Sequence, residues 1–186
     1  MPVKLNESVY QIKVTLRESK PPIWRRLLVS DSTTLYTLHK IIQAAMGWTD
    51  SHLHQFIIEG EYFSIPSSED SRPIKDERRY RLNQITSSDN SKFIYEYDFG
   101  DSWEHEILVE KNQSPEAGIK YPMCIKGKRA CPPEDIGGVW GYEEFLEAIS
   151  DPNHDQHDFY TEWLGDEFDS EEFDIEEINQ VLQRIK

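Results

Sequence analysis

Apolar and polar positions alternate along Val9–Arg17 (VYQIKVTLR), which predicts a strand with one face toward a core and the other toward water. Ser19-Lys20-Pro21-Pro22 interrupts the alternation and Ile23–Val29 resumes it, so this segment reads as a hairpin with a proline-stiffened turn. Asp31-Ser32-Thr33-Thr34 is a helix-start signal. Leu35, Leu38, Ile41, Ile42, Ala45 and Met46 then recur at helical spacing, and Gly47 stands where the helix should stop. A third strand is predicted from about His52 to Phe63, an exposed loop over 66–76, a short strand over ERRYRL (77–82) and a single helical turn at LNQIT.

Alternation returns in Tyr95–Lys111 (YEYDFGDSWEHEILVEK). Phe93, Tyr95, Tyr97 and Phe99 share one face of the outgoing strand; Trp103, His105, Ile107 and Val109 share one face of the returning strand. A three-residue loop, Gly100-Asp101-Ser102, pairs 99 with 103, 97 with 105 and 95 with 107 and buries all the rings together. A loop one residue shorter would send the apolar sets to opposite faces. In the three-residue register Asp98 faces Glu104 and Glu96 faces Glu106. Like charges directly opposite destabilise a strand pair. The repulsion can be offset by Arg25, Arg26, Arg78, Arg79 or Arg81, by full solvation, or by a bound divalent cation of the Mg, Mn or Ca kind.

Downstream, Tyr142, Phe145, Leu146 and Ile149 form a helical stripe; Asp151-Pro152 reads as the start of a segment reaching about Leu164. Asp174-x-x-Glu177 opens a last helix with Ile175, Ile178, Val181, Leu182 and Ile185 inward. Pro132-Pro133-Glu134-Asp135 reads as a further helix start, and Gly137-Gly138 as a turn. The order strand, strand, helix, strand suggests an α+β fold, β-grasp-like at its start. Its sheet is mainly antiparallel, one helix crosses it, and an acidic helical region follows. We expect a single domain over 1–186: a strand-rich body (1–115), then a loop and acidic helices packed on it (116–186).

Charge sharpens that division. Of the net −15, residues 1–130 contribute nothing, with 18 Lys/Arg against 18 Asp/Glu, whereas residues 131–186 hold 2 Lys/Arg against 17 Asp/Glu. An acidic surface attracts a basic protein partner and repels phosphate backbones, which counts against general nucleic-acid binding. A mean hydropathy of −0.70 and the lack of any long apolar run argue against a membrane span. MPVKLNESVY has no apolar signal segment, and two cysteines fit a reducing compartment, so the expected location is cytoplasmic.

The candidate chemistry is concentrated in the Tyr95–Lys111 hairpin. Asp98, Asp101, Glu104 and, from farther on, Glu134 are candidate metal ligands. His105 is either a hydrogen-bonded core histidine or a proton carrier near Asp101, which makes Asp101 and His105 the catalytic candidates. Trp103 is a core or rim aromatic, or a ring on which a ligand stacks. Cys124 and Cys131, with His154 and His157 at i, i+3, make a weaker zinc candidate against the simpler reading of two unreactive buried thiols. His52-x-His54 is weaker again. Lys128 and Arg129, in KGKR, can hold an anionic ligand or pair with Glu134 and Asp135. No Gly-x-Ser-x-Gly, Walker, dinucleotide or HExxH pattern occurs.

Taken together, PPIWRRLLV, LHKIIQAAMGWTDSHLHQF, YEYDFGDSWEHEI, CIKGKRACPPEDIGGVWGY and the FD-rich tail resemble the plasmid pRiA4b open-reading-frame-three-like family, itself said to be similar to an insertion-sequence TnpR passenger protein. The resemblance runs from about Val9 to Asn179 and implies a single α+β domain found in mobile-element and chromosomal settings. It implies no reaction, substrate or catalytic residue. The resolvase-like label finds no support in the residues, which show no helix-turn-helix with a basic recognition helix. Three readings of function follow. The first is a non-enzymatic module whose acidic helices meet a basic protein. The second is a metal-assisted enzyme acting on phosphate esters through the hairpin carboxylates and His105. The third, a DNA-associated mobile-element protein, is disfavoured by charge.

Overall fold

The computed structural model describes residues 7–87, 91–164 and 168–185. Strands β1 (Val9–Leu16) and β2 (Trp24–Ser30) form the expected hairpin, with Tyr10 opposite Val29 and Val14 opposite Arg25. Helix α1 (Leu35–Met46) follows; Thr34 caps it by accepting from the Thr37 amide. Gly47 ends it at φ 111°, donating its N–H to the Gln43 carbonyl. The apolar stripe of α1 is buried on the sheet, as its spacing requires.

The third strand is a hairpin rather than one run: β3 (His54–Ile58) and β4 (Glu61–Ser64) turn at Glu59 (φ 51°) and Gly60 (φ 79°), the left-handed pair a tight two-residue connection demands. The short β5 (Ile74–Asp76) pairs parallel with β4. ERRYRL is not a strand. Glu77–Arg79 is a 3-10 turn, and Arg81 makes only an isolated bridge to Thr34 before the one-turn helix α2 (Leu82–Ile85). Then come β6 (Lys92–Tyr97), β7 (Trp103–Gln113) and β8 (Met123–Lys128), the last an unforeseen strand that pairs with β2. Helices α3 (Gly138–Ser150), α4 (His157–Leu164) and α5 (Ile175–Leu182) complete the order. Asp151 closes α3 instead of opening α4, and Glu134-Asp135 lies in a turn ahead of α3 rather than starting a helix. Asp174 caps α5 as expected, accepting from the Glu176 and Glu177 amides.

Among the described residues the sheet has eight strands in the order β5-β4-β3-β6-β7-β1-β2-β8, antiparallel except at β4–β5. Its inner face supplies Ile12, Val14, Leu16, Leu27, Val29, Phe56, Phe93, Tyr95, Tyr97, Trp103 and Ile107, all essentially buried. Over them lie α1, then Phe145 and Tyr142 of α3 and Leu182 of α5. Val181, expected inward on α5, is exposed. Among the described residues no helix is long and apolar enough to cross a membrane.

The register of β6 and β7 differs from expectation by two residues. Tyr97 faces Trp103, Tyr95 faces His105 and Phe93 faces Ile107, so the loop is five residues long, 98–102. A shift of two keeps Phe93, Tyr95, Tyr97, Trp103 and His105 on their face, whereas Phe99, expected beside them, falls in the loop and is 47% exposed. It also puts Glu96 opposite Glu104 and Ile94 opposite Glu106, and moves Asp98 off the strand altogether. On the outer face Glu96 is held by Gln55 (2.6 Å) and Ser102 (3.0 Å), Glu104 by Arg17, and Glu106 by Lys92 (3.1 Å). None of the arginines expected to offset the row does so. Arg26 forms a two-point pair with Glu110 (2.7 and 2.8 Å), and Arg78 pairs with Asp76. Arg25 is buried against the carbonyls of Ala45, Trp24 and Lys128.

Helix α3 is anchored to the β6–β7 loop at a glycine. At Gly138 φ is 70°, and a Cβ there would sit 2.4 Å from the Asp101 carbonyl oxygen. Gly138→Ala should therefore destabilise the fold by roughly 1–3 kcal/mol. Gly118→Ala, at φ 83° with open space around it, should cost only about 1 kcal/mol. Urea midpoints of the two variants check the difference.

Candidate functional site

Three loops meet at one end of the sheet: Gly47–Leu53 after α1, the β6–β7 loop 98–102, and residues 132–137 ahead of α3. The buried phenol of Tyr97 at the end of β6 ties them together. Its oxygen accepts from the Ser51 amide (2.9 Å) and donates to Glu134 (3.1 Å to Oε1). Burial foremost, and the nearby Glu134 carboxylate, push its pKa well up, so it stays a donor. Trp48 Nε1–H donates to the Pro132 carbonyl (3.0 Å), and the Thr49 amide donates to Glu134 Oε1 (3.0 Å). Asp101 Oδ2 accepts from the Gly137 amide (3.1 Å).

His52 points into this junction. Its Nε2 lies 3.0 Å from Asp135 Oδ1, 3.6 Å from Asp98 Oδ2 and 3.7 Å from Glu134 Oε2. That nitrogen is shut off from solvent, yet the angles give it no hydrogen-bond partner. One donor atom each from His52, Asp98 and Asp135 lies within 4.8 Å of the others, a spacing that can close around a cation. Asp98 is turned toward His52 by its own backbone. At φ 58° it leaves the strand, and its Oδ1 accepts from the Gly100 amide (3.0 Å), leaving Oδ2 free to face the histidine. Asp135 (φ 56°) and Asp50 (φ 56°) are left-handed as well. Aspartate tolerates that region better than most residues, but three instances around one junction are a concentration of backbone strain.

Behind the junction a second polar group supports the 48–53 loop. The rings of His39 and His54 stack with centroids 3.4 Å apart and planes 3° from parallel. His54 Nε2 meets both oxygens of the fully buried Glu77 (3.0 and 2.9 Å). His39 meets Asp50 through Nε2 and the Tyr95 hydroxyl through Nδ1, each at 2.8 Å. Gln43 donates to that hydroxyl and accepts from the Asp50 amide. One assignment satisfies the set: His39 neutral, donating from Nε2 to Asp50 and accepting from Tyr95 at Nδ1. His39, Asp50 and His54 also offer donor atoms within 4.8 Å of one another.

Of the residues singled out in the sequence, Asp98 and Glu134 face His52, and Asp101 sits beside them on Gly137. Glu104 is on the outer face with Arg17. His105 and Trp103 are fully buried; among the described residues neither ring nitrogen of His105, nor Trp103 Nε1, has a hydrogen-bond partner. Cys124 and Cys131 are free thiols whose pKa values burial raises. His157 Nδ1 bonds the Ala148 carbonyl (2.8 Å), and His154 Nδ1 accepts from the Gln156 amide. Among the described residues neither metal-compatible group includes these four. Lys128 is exposed at the end of β8, and Arg129 pairs with Glu171 (2.7 Å). Sequence reasoning gave His52 little weight, read Asp135 as a partner for Lys128 and Arg129, and overlooked His39, Asp50 and Glu77. The signal was present as GWTDSHLH, where a histidine and an acid flank a helix stop.

Over residues 8–177 the chain matches the family described as plasmid pRiA4b ORF-3-like protein. It is 40% identical over 180 residues to the uncharacterized protein y4hQ of Sinorhizobium fredii, covering 96% of this chain and 92% of that one. The crystal structure of MM3350, a protein of unknown function from Methanosarcina mazei Go1, superposes with a TM-score of 0.86 at 40% identity. That match covers 91% of this chain and 97% of the other.

Two buried histidines make stability depend on pH. Burial foremost, with stacked His54 next, lowers His39 to about 4. Burial lowers His105 to about 4 as well; backbone groups of Trp103 and Tyr95 pull it partly back without reaching hydrogen-bond geometry. Both are neutral in the fold, whereas an unfolded histidine titrates near about 6.5. Between those values the unfolded chain binds more protons, so the contribution is complete above about pH 6.5 and is lost as pH falls toward about 4. Each histidine should supply a slope of about 1.4 kcal/mol per pH unit in that window. His105→Leu should remove one such share. It should also raise stability at pH 7 by about 1 kcal/mol or more, because two partnerless buried nitrogens disappear. Urea unfolding between pH 4 and 8 measures both effects.

Proposed function

The chain belongs to the plasmid pRiA4b ORF-3-like family, and we propose that its three-loop junction binds a divalent cation and supports metal-assisted hydrolysis of a phosphate ester. The observation that carries this reading is the His52 Nε2 atom, closed off from water, without a hydrogen bond, and facing three carboxylates. A neutral imidazole nitrogen with carboxylate oxygens is a donor set suited to Mn, Zn or Mg, with Mg the least favoured by the nitrogen. His52, Asp98, Glu134 and Asp135 are the ligands in this reading. Glu134 is oriented by Tyr97 and Thr49, and Asp98 by its own turn, which is how hydrogen-bonded supporting residues normally fix ligands. A cation there would polarise a phosphoryl oxygen and acidify a bound water. Asp135 is largely exposed, so one side of the junction is open to a substrate.

A place for the organic part of a substrate adjoins. Leu53 and Phe99, neighbours in sequence of His52 and Asp98, are 72% and 47% exposed. With Ile65, Arg72 and Gln55 they line a cavity of about 350 Å³. Arg72 stacks on Tyr62 (3.6 Å to the ring centroid) and donates to Gln55. Its guanidinium has no carboxylate partner among the described residues.

Metal analysis and thermal shift test the reading. Protein treated with chelator and dialysed should gain several degrees in Tm on adding Mn or Zn, and bind one equivalent per chain. His52→Ala and Asp98→Asn should each lose that gain, and the wild type should hydrolyse p-nitrophenyl phosphate only with metal present. A wild-type protein that takes up no metal, or takes it up equally after His52→Ala, would leave His52 as a close neighbour of Asp135 and nothing more.

A further inference from the structure

Among the described residues the acids of α3 and α4 pair with no cation, and both helices display rings. Between Ala130 and Gln183 the sequence has no lysine or arginine, yet all 17 of the acids beyond residue 130 fall inside that stretch. On α3, Trp140, Glu144 and Glu147 are exposed; on α4, so are Asp158, Phe159, Glu162 and Trp163, with Asp155 exposed in the turn just ahead of it. Trp140 is 76% exposed, Phe159 60% and Trp163 45%. Tyr160 turns inward and meets Phe145 of α3 edge-on (5.3 Å), and His157 bonds the Ala148 carbonyl, so α4 is fastened to α3 while presenting Phe159 and Trp163 to solvent. Among the described residues no cation pairs with Glu144, Glu147, Asp155, Asp158 or Glu162.

Solvated helix faces are ordinarily charged without large rings, and apolar docking faces are ordinarily poor in charge. Rings set among carboxylates with no internal cation are complementary to something both cationic and able to lie flat on an aromatic face. Guanidinium and ammonium groups are such groups: they gain from the ring quadrupole and from the carboxylates together. We infer that the α3–α4 face is a docking surface for a lysine- and arginine-rich segment of a partner protein. None of the acids or rings of this surface is among the groups that face His52, so the two readings stand or fall separately.

Titration of the full chain with a twelve-residue Lys/Arg peptide, followed by tryptophan fluorescence and calorimetry, tests this. Binding should saturate at one site and weaken severalfold between 50 and 300 mM salt. Phe159→Ala with Trp163→Ala should weaken it by roughly tenfold, since two cation–ring contacts are lost. Trp163→Phe should retain most of the affinity, and circular dichroism and Tm must show that each variant is folded. Unchanged affinity in a folded double alanine variant would overturn the proposal, reducing the interaction to diffuse charge. Equal binding of a neutral apolar peptide would overturn it too. So would sedimentation showing a wild-type dimer that the double variant disperses, because the face would then serve a second copy of the chain.

Discussion

Burial of Tyr95, Tyr97, Trp103 and His105 on one side of the β6–β7 ribbon is the constraint on which the rest depends. Those rings share the inner face in either of two registers two residues apart; the one adopted sets Tyr97 opposite Trp103 and leaves five residues to make the turn. The turn is too long to be a tight hairpin, so Asp98 swings out of the strand at positive φ and carries its carboxylate to the end of the sheet. There Tyr97, held by the same pairing, reaches Ser51 and Glu134. The position of the acids is therefore set by the Tyr97–Trp103 pairing, and a change in that register would disperse the junction before any ligand residue was altered.

The same burial has a cost, which falls on histidine. His105 fills a core position that Leu or Phe would fill with less loss, and neither of its nitrogens has a partner. His39 and His54 avoid that loss by finding Tyr95, Asp50 and Glu77. The difference matters for interpretation. Polar groups that complete a network specify one arrangement of the 48–53 loop, whereas a partnerless one only lowers stability. It follows that the stacked pair contributes to holding His52 in place, and that His105 contributes bulk.

Periodicity revealed much of this architecture and little of the junction. The alternation of Val9–Arg17 and Tyr95–Lys111, the stripe from Leu35 to Met46 and the Asp174 cap are local signals, and local physics governs those elements. The face of each strand ring was legible because a two-residue slip preserves it, but Phe99 was lost to the longer loop. The loop length was not, because alternation cannot distinguish three residues from five. β8 escaped because CIKGK has no strong alternation and owes its extension to pairing with β2. Left-handed aspartates at 50, 98 and 135 have no glycine-like mark in sequence, so the convergence of three loops on His52 depends on long-range contacts that no window of residues contains.

Negative charge is handled in three ways in this molecule, and the contrast orders its surfaces. On the outer face of the sheet Glu104, Glu106 and Glu110 each meet an arginine or lysine, and Glu96, which faces Glu104, is held by Gln55 and Ser102. At the junction three carboxylates share one histidine, and only one of them is within 3.5 Å of it. On α3 and α4 the acids meet no cation of their own among the described residues. Folding alone gives no reason for the difference, since lysines were available to the sheet and are missing from a stretch of comparable charge. Two unneutralised clusters of different geometry accord with two cationic partners of different kind. The close, strained, inward-facing set fits a small ion, and the broad set with its exposed rings fits a chain of basic residues.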